Sequence, residues 1–313
     1  MFKFKKNVIF SRISNEWLEM KRLSITYSTY VKYDYLVNHH LTEYFDKYDF
    51  QKIDSSMVSQ FFLMKANEDN LSSSTLKTLL YLIKSIVRYA NELYHFTIQI
   101  TGIVLPVKNK NIKVLDFHEI ELLENYCYEN DNILSLSMLL SLYGGLRIGE
   151  ICALKTCNID LNKGIILVCQ TVQRIKSQSK DKKTELLVGT PKTQTSYRKV
   201  PLPQFVIEHI KKHYQNYLCN NLYFLSNKNE PVDPRCIQKK FQKLCKELNI
   251  HSTFHVLRHT YATQCVQKGV DIKSLSEIMG HANVNITLNL YVHSTDEYKI
   301  NQIEKLNKVI SIS

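Results

Sequence analysis

The feature that most constrains the fold is a series of helical patterns that is interrupted only once, by short apolar runs. Among the first hundred residues the clearest helical spacing of apolar side chains extends from Leu76 to Ala90. Helical patterns resume after Pro203 and continue to the end of the chain. The interruption consists of runs with strand character at 164–168, 185–188 and 198–202. The sequence therefore predicts a mainly α-helical protein with one small antiparallel β-sheet.

Chain length and a change in pattern near residue 100 predict two domains. A chain of 313 residues is long enough to bury two separate cores. Residues 101–115 contain a glycine, a proline and three lysines, which indicates an extended basic linker. Asp116 and Glu119 then have the spacing of a helix-capping box. We expect a helical domain over 1–100, a linker over 101–115 and a mixed α/β domain over 116–313.

The charge of the chain indicates an anionic partner. The formal net charge is +12, from 41 Lys and Arg against 29 Asp and Glu. Residues 1–100 contain 13 basic and 10 acidic side chains, so most of the excess lies in the second part of the chain. Nucleic acid is the first candidate for such a partner, an acidic membrane is the second, and solubility alone is the third explanation.

Cysteine usage and hydropathy indicate a cytoplasmic protein with no membrane partner. The eight cysteines include no Cys-x-x-Cys pair and no regular framework, which is typical of reduced thiols. No window approaches the roughly 20 apolar residues of a membrane span. The first residues are basic but lack the apolar core of a signal peptide.

Six residues form a candidate catalytic set because packing alone would not assemble them. They are Arg147, Lys192, His255, Arg258, His281 and Tyr291. The two arginines can donate paired hydrogen bonds to a phosphodiester as it gains negative charge. The tyrosine hydroxyl suits the attacking oxygen, His255 suits the base, and Lys192 suits the acid. Cleavage of a DNA strand by transesterification needs these groups and requires neither a metal nor a cofactor.

The sequence blocks that carry these residues resemble the catalytic domain of the tyrosine recombinase (phage integrase) family over about residues 116 to 307. The blocks are Gly-Leu-Arg-Ile-Gly-Glu at 145–150, Thr-Pro-Lys-Thr at 190–193, His-Val-Leu-Arg-His-Thr at 255–260, and 280–291, which begins Gly-His and ends in tyrosine. Glu150 resembles the carboxylate that supports the first arginine. Ser196 and Arg198 follow the lysine in a segment that resembles the β-hairpin of the family. The first hundred residues resemble the helical core-binding domain only loosely.

The resemblance implies a site-specific recombinase whose two domains close on double-stranded DNA. Tyr291 would attack the scissile phosphate and form a 3′-phosphotyrosyl bond, while Arg147, Arg258 and His281 hold that phosphate. The resemblance further implies a tetramer on two duplexes, with DNA-bending accessory proteins as further partners. A terminal helix from about Asp296 would dock on a neighbouring subunit. Integration or excision of a mobile element is the expected outcome.

Two other functions remain open at the level of sequence. A type IB topoisomerase uses similar chemistry, and relaxation of plasmid DNA by a monomer would favour it. A non-catalytic DNA-binding regulator on the same fold would form no covalent adduct with DNA.

Metal and nucleotide chemistry find little support in the sequence. The pairs His251/His255 and His209/His213 have the ligand spacing of a helix, but neither contains the glutamate of zinc proteases. No glycine-rich phosphate loop is present in the sequence. His259 is expected to be structural because it follows Arg258 directly and points to another side of the helix.

Overall fold

The computed structural model describes residues 8–67, 69–106, 113–177, 182–190, 197–214, 221–281, 283–284, 288 and 303. The chain divides into two compact units. The first comprises Met1–Lys110 and Ile175–Lys183, and the second comprises Asn111–Arg174 and Thr184–Ser313. Within the described ranges, none of the helices has the length and hydropathy needed to cross a membrane.

The first unit is helical, as the sequence predicts. Its helices are α1 (Phe10–Arg22), α2 (Tyr27–Leu36), α3 (Glu43–Phe45), α4 (Ser55–Asn67) and α5 (Ser73–Tyr94), and a π-helical segment (Val37–Thr42) joins α2 to α3. Aromatic rings form much of its core: the Phe10 ring lies 5.4 Å from that of Phe45 and 5.7 Å from that of Phe50. Burial of these rings stabilises the unit together with its aliphatic core.

Local capping signals explain where two of these helices, α4 and α5, begin. The Ser72 hydroxyl accepts a hydrogen bond from the Thr75 amide at 3.2 Å, and Asp54 accepts one from Met57 at 2.8 Å. The sequence also predicts that Ser14 caps a helix carrying Trp17 and Leu18, and this prediction is wrong. Helix α1 already begins at Phe10, and buried Ser14 donates to the carbonyl of Ser11 at 3.1 Å. Burial of Phe10 and a hydrogen bond of 2.6 Å from the Ser11 amide to the Asp46 carboxylate hold this helix start.

The second unit combines seven helices with short strands over the residues that the structure describes. The helices are α6 (Phe117–Glu129), α7 (Ile133–Gly144), α8 (Ile148–Cys152), α9 (Gln204–Tyr214), α10 (Pro234–Glu247), α11 (Phe254–Gln267) and α12 (Ile272–Met279). The strands are β1 (Ile159–Asp160), β2 (Ile165–Val168), β3 (Thr171–Lys176), β4 (Thr184–Gly189) and β5 (Arg198–Pro201). The predicted capping box of Asp116 and Glu119 is present at the start of α6.

The strands form two small sheets, whereas the sequence predicts one. In the first sheet β2 pairs antiparallel with both β1 and β5, and Ile166 lies opposite Val200. The second sheet contains β3 and β4. Strand β3 is not predicted because polar and charged side chains interrupt its apolar positions. Only Val172 and Ile175 on this strand are buried.

Helix α7 is the centre of the second unit. Ten of its 12 residues are buried, so it is apolar on all sides and packs against α6, α8, α10 and α11. Gly145 ends this helix in the left-handed region, with φ of +63°. A Cβ atom at this position would also lie 2.5 Å from the Tyr261 ring. Glycine is therefore required at this position for two reasons, two residues before the first predicted catalytic arginine.

Candidate active site

Arg147 occupies the N-cap position of α8 and is held by a carboxylate one turn later. The Arg147 amide and guanidinium both donate to Glu150, at 2.8 Å each. The Arg147 side chain is still 37% exposed, while that of Glu150 is only 5% exposed. The buried carboxylate of Glu150 therefore orients the Arg147 guanidinium, which remains accessible to a ligand.

A second arginine, Arg198 on β5, binds the same carboxylate. Its two terminal nitrogens donate to the two oxygens of Glu150 at 3.0 and 2.9 Å, and both side chains are 5% exposed. Burial alone would raise the pKa of Glu150. The hydrogen bonds and charge of Arg198, together with the charges of Arg147 and Arg258, instead lower it to about 2. Glu150 is consequently an ionised bridge between two arginines.

Arg258 comes from α11 and is almost fully buried, with 2% exposure. One terminal nitrogen donates to the carbonyl of Gly145, and the other donates to that of Met279 at 2.5 Å. These bonds connect the end of α7 with the end of α12. They fix the guanidinium plane, as a bidentate contact with a phosphate requires.

The three arginines donate to three consecutive carbonyls at the C-terminus of α12. Arg198 binds Ile278 at 2.5 Å, Arg258 binds Met279, and Arg147 binds Gly280 at 3.3 Å. These carbonyls lack partners within the helix and carry its partial negative charge, so guanidinium donors are favourable there. Gly280 ends the helix with φ of +63°. The position of the following residue, His281, is thereby tied to all three arginines.

Two histidines face this positive cluster as neutral imidazoles. Burial, followed by the charges of Arg258 and Arg147, lowers the pKa of His281 to about 4. Burial, His259 and the same two arginines lower the pKa of His255 to about 4. Both rings are therefore uncharged at neutral pH and can accept or donate a single proton.

His259 packs against one of these rings. It lies one turn after His255 on α11, and the two ring centroids are 4.5 Å apart with an edge-to-face arrangement. Its Nδ1 atom is buried and has no hydrogen-bond partner among the described residues. This contact with the His255 ring fits the predicted structural role of His259.

The arrangement brings together four of the six predicted residues. The C-terminal end of α12, which His281 follows, binds Arg147 and Arg258. The charges of both arginines also lower the pKa of His255. Lys192 and Tyr291 lie outside the described residues. Arg198 is not among the six predicted residues, although the alternating burial of β5 places it on the same face as buried Val200. A charged residue at a core-facing strand position is the signal that could have identified its role.

Fixed guanidinium groups beside neutral imidazoles suit an enzyme that stabilises a phosphodiester during transfer. Comparison with known proteins agrees with this class. Residues 113–298 match the sequence profile described as phage integrase family, and residues 9–65 match the profile described as phage integrase, N-terminal SAM-like domain. The chain therefore belongs to the phage integrase family, and it is a tyrosine recombinase, an enzyme that cleaves and rejoins DNA strands.

Individual relatives are similar over most of the chain. A tyrosine recombinase XerC-like protein of Caldanaerobacter subterraneus subsp. tengcongensis is 27% identical over 96% of this chain and 83% of its own length. The integrase of Staphylococcus phage L54a is 24% identical over 83% of this chain and 80% of its own. Among solved structures, the Tn1549 transposon integrase bound to transposon right-end DNA has a TM-score of 0.77 at 20% identity, and it covers 96% of this chain and all of that one. The structural likeness supports the mainly helical fold with small sheets.

Proposed function

We propose that this protein recombines DNA at a specific site through a covalent 3′-phosphotyrosyl intermediate formed by Tyr291. The observation that carries the proposal is the convergence of Arg147, Arg258 and His281 at the end of α12. Preorganised donors of this kind stabilise the charge that develops on an attacked phosphate. The recombinases and integrases among its relatives support the same chemistry.

Each group of the site has a role in the proposed mechanism. Arg147 and Arg258 donate to the non-bridging oxygens of the phosphate, and His281 donates a further hydrogen bond. Neutral His255 takes the proton of the Tyr291 hydroxyl, which its lowered pKa allows at neutral pH. Lys192 protonates the departing 5′ oxygen. The phosphotyrosyl ester conserves the energy of the broken bond, so a 5′ hydroxyl of another strand can reverse the step without ATP.

Arg198 and Glu150 act as positioning residues in this proposal. The Arg198 guanidinium donates to both oxygens of Glu150 and to the carbonyl of Ile278, and Glu150 is an anion that would repel a phosphate. Together they fix the accessible guanidinium of Arg147 and the backbone that precedes His281. Loss of either residue should therefore misplace groups that contact the phosphate.

The domain organisation supports binding of a duplex from two sides. We propose that the helical domain over 1–100 and the linker over 101–115 hold one side, and that the catalytic domain over 116–313 holds the other. The net charge of +12 matches a partner whose affinity comes mostly from phosphate contacts. The resemblance to a lambda integrase tetramer solved on a Holliday junction, with a TM-score of 0.66, supports assembly as a tetramer. The cytoplasm is the compartment in which such a substrate occurs.

The outcome of the reaction is proposed to be integration or excision of a mobile element. A phage integrase and the transposase of Tn916 from Enterococcus faecalis, which is 29% identical over 55% of this chain, support this assignment. The terminal helix expected from about Asp296 lies outside the described residues, and its docking on a neighbouring subunit remains part of the proposal.

A strand-exchange assay tests this function against its alternatives. Two labelled duplexes that carry the DNA flanking the gene of this protein are incubated with it, and the products are separated by size. We expect recombinant duplexes of exchanged length. Relaxation of supercoiled plasmid without exchange would favour a topoisomerase, and binding without any covalent adduct would favour a regulator.

A further inference from the structure

A second cluster of polar side chains lies on α9 and on the turn between α6 and α7. His209 and His213 are one helical turn apart on α9, so both rings project from the same face. Their centroids are 4.7 Å apart. Asp131 approaches from the turn, where its carboxylate contacts His213 Nδ1 and lies 4.0 Å from His209 Nε2. One ligand atom from each of the three residues lies within 4.8 Å of the other two.

A simple ion pair leaves part of this cluster unsatisfied. One proton between Asp131 and His213 completes a hydrogen bond for those two groups. His209 Nε2 is buried and has no hydrogen-bond partner within the described part of the chain, and 4.0 Å is too long for a bond to the carboxylate. Burying such a nitrogen without a partner is unfavourable. An ion placed between the three side chains would satisfy all of them.

We propose that Asp131, His209 and His213 bind a divalent transition-metal ion, with Zn²⁺ the best match to two imidazoles and one carboxylate. Zinc bonds to nitrogen and oxygen are about 2.0–2.2 Å long, which places tetrahedral ligand atoms roughly 3.3 Å apart. The ligand atoms, which lie within 4.8 Å of one another, would therefore have to close by up to about 1.5 Å through side-chain rotation. The adjoining cavity of about 480 Å³ provides room for water as the fourth ligand.

The ion would connect helix α9 to the turn that starts α7. The same two segments are already joined by the Tyr214 hydroxyl, which donates to the carbonyl of Asn132 at 3.3 Å. Asn132 in turn caps α7 by accepting from the Leu134 amide at 2.8 Å. The proposed site is thus structural and supports the central helix of the second unit. The missing glutamate of zinc proteases is no objection, because that residue serves catalysis and not binding of the ion.

Thermal unfolding of the full chain tests this site. The protein is stripped with EDTA, freed of chelator, and heated with and without Zn²⁺ at 100 times its measured dissociation constant. We expect Zn²⁺ to raise Tm by roughly 5 °C or more. Co²⁺ as a second probe should give the visible absorption of a tetrahedral site. Asp131→Asn and the double variant H209Q/H213Q should lose both responses, while the control His118→Gln, which changes an exposed histidine, should retain them.

Two results would overturn the proposal. The first is an unchanged Tm and no Co²⁺ absorption for the wild type. The second is a response of the variants equal to that of the wild type, because the ion would then bind elsewhere. Circular dichroism establishes that each variant is folded, and Asp131→Asn provides the test if the double variant is not. DNA cleavage below the unfolding temperature is measured separately, so failure of the metal site is distinguishable from failure of the recombinase mechanism.

Discussion

Glu150→Gln is the substitution that most directly tests the arginine cluster. The wild-type carboxylate is buried and ionised, and it accepts hydrogen bonds from Arg147 and Arg198. Glutamine has nearly the same shape but no charge, and its amide nitrogen must face a guanidinium donor. The substitution therefore leaves the charges of two arginines without their shared carboxylate while the packing changes little.

Two independent arguments give a similar magnitude for the loss. Removing one partner of a buried ion pair costs about 3–5 kcal/mol. The pKa of Glu150 falls from 4.5 to about 2 on folding, and at about 1.4 kcal/mol per pKa unit this shift corresponds to about 3 kcal/mol. Because the folded pKa is the lower one, this stability is present above pH 4.5 and is lost as the pH falls towards 2.

Urea unfolding at several pH values measures the predicted effect. At pH 7 the free energy of unfolding of Glu150→Gln should be about 3 kcal/mol below that of the wild type, and by pH 3 the difference should shrink to roughly half. The control Glu247→Gln removes an exposed glutamate whose contact with Lys243 is 3.8 Å, and it should change stability by less than about 0.5 kcal/mol. A Glu150→Gln loss below about 1 kcal/mol, or one independent of pH, would refute the ionised bridge.

Three further predictions concern the positioning residue, DNA binding and the chemistry. Arg198→Met should lower the free energy of unfolding by about 3 kcal/mol. The double variant with Glu150→Gln should lose clearly less than the sum of the two single losses, and additive losses would argue against a shared network. Affinity for the duplex site should fall roughly a thousand-fold between about 50 and 200 mM salt if six phosphates are neutralised. A nearly constant affinity in filter binding would contradict binding of DNA through its phosphates. Strand cleavage on labelled DNA should be complete in excess EDTA, because side-chain cations stabilise the phosphate. Loss of cleavage on chelation with rescue by Mg²⁺ would exclude this mechanism.

Local signals made much of the fold predictable from sequence. The caps at Asp54, Ser72 and Asp116 use side chains within three residues of the helix start, so the sequence contains the whole interaction. Strand β3 was missed because its two buried side chains are separated by polar ones. The start of the first helix is not predicted because it depends on long-range contacts, namely the burial of Phe10 and the hydrogen bond from Ser11 to Asp46.

Long-range contacts account for what the sequence could not predict in the site. Arg198 and Glu150 are 48 residues apart, and each alone resembles an ordinary charged surface residue. The sequence places Glu150 in a motif block and Arg198 shortly after another, but neither position reveals that the two share one buried ion pair. Likewise, the spacing of His209 and His213 was visible, but Asp131 joins them only through the packing of α9 beside the α6–α7 turn.

Trapping the covalent intermediate tests the central claim that Tyr291 attacks a phosphate held by the two arginines. A nicked duplex that loses its 5′ hydroxyl fragment after cleavage accumulates the covalent adduct. The adduct is separated on a denaturing gel, and peptide mapping then identifies the modified residue. The wild type and the control Tyr298→Phe should form an adduct at Tyr291. Arg258→Ala should form the same adduct about 100 to 1,000 times more slowly, provided that circular dichroism shows it folded. Tyr291→Phe should form none, and an adduct in that variant would show that another residue is the nucleophile.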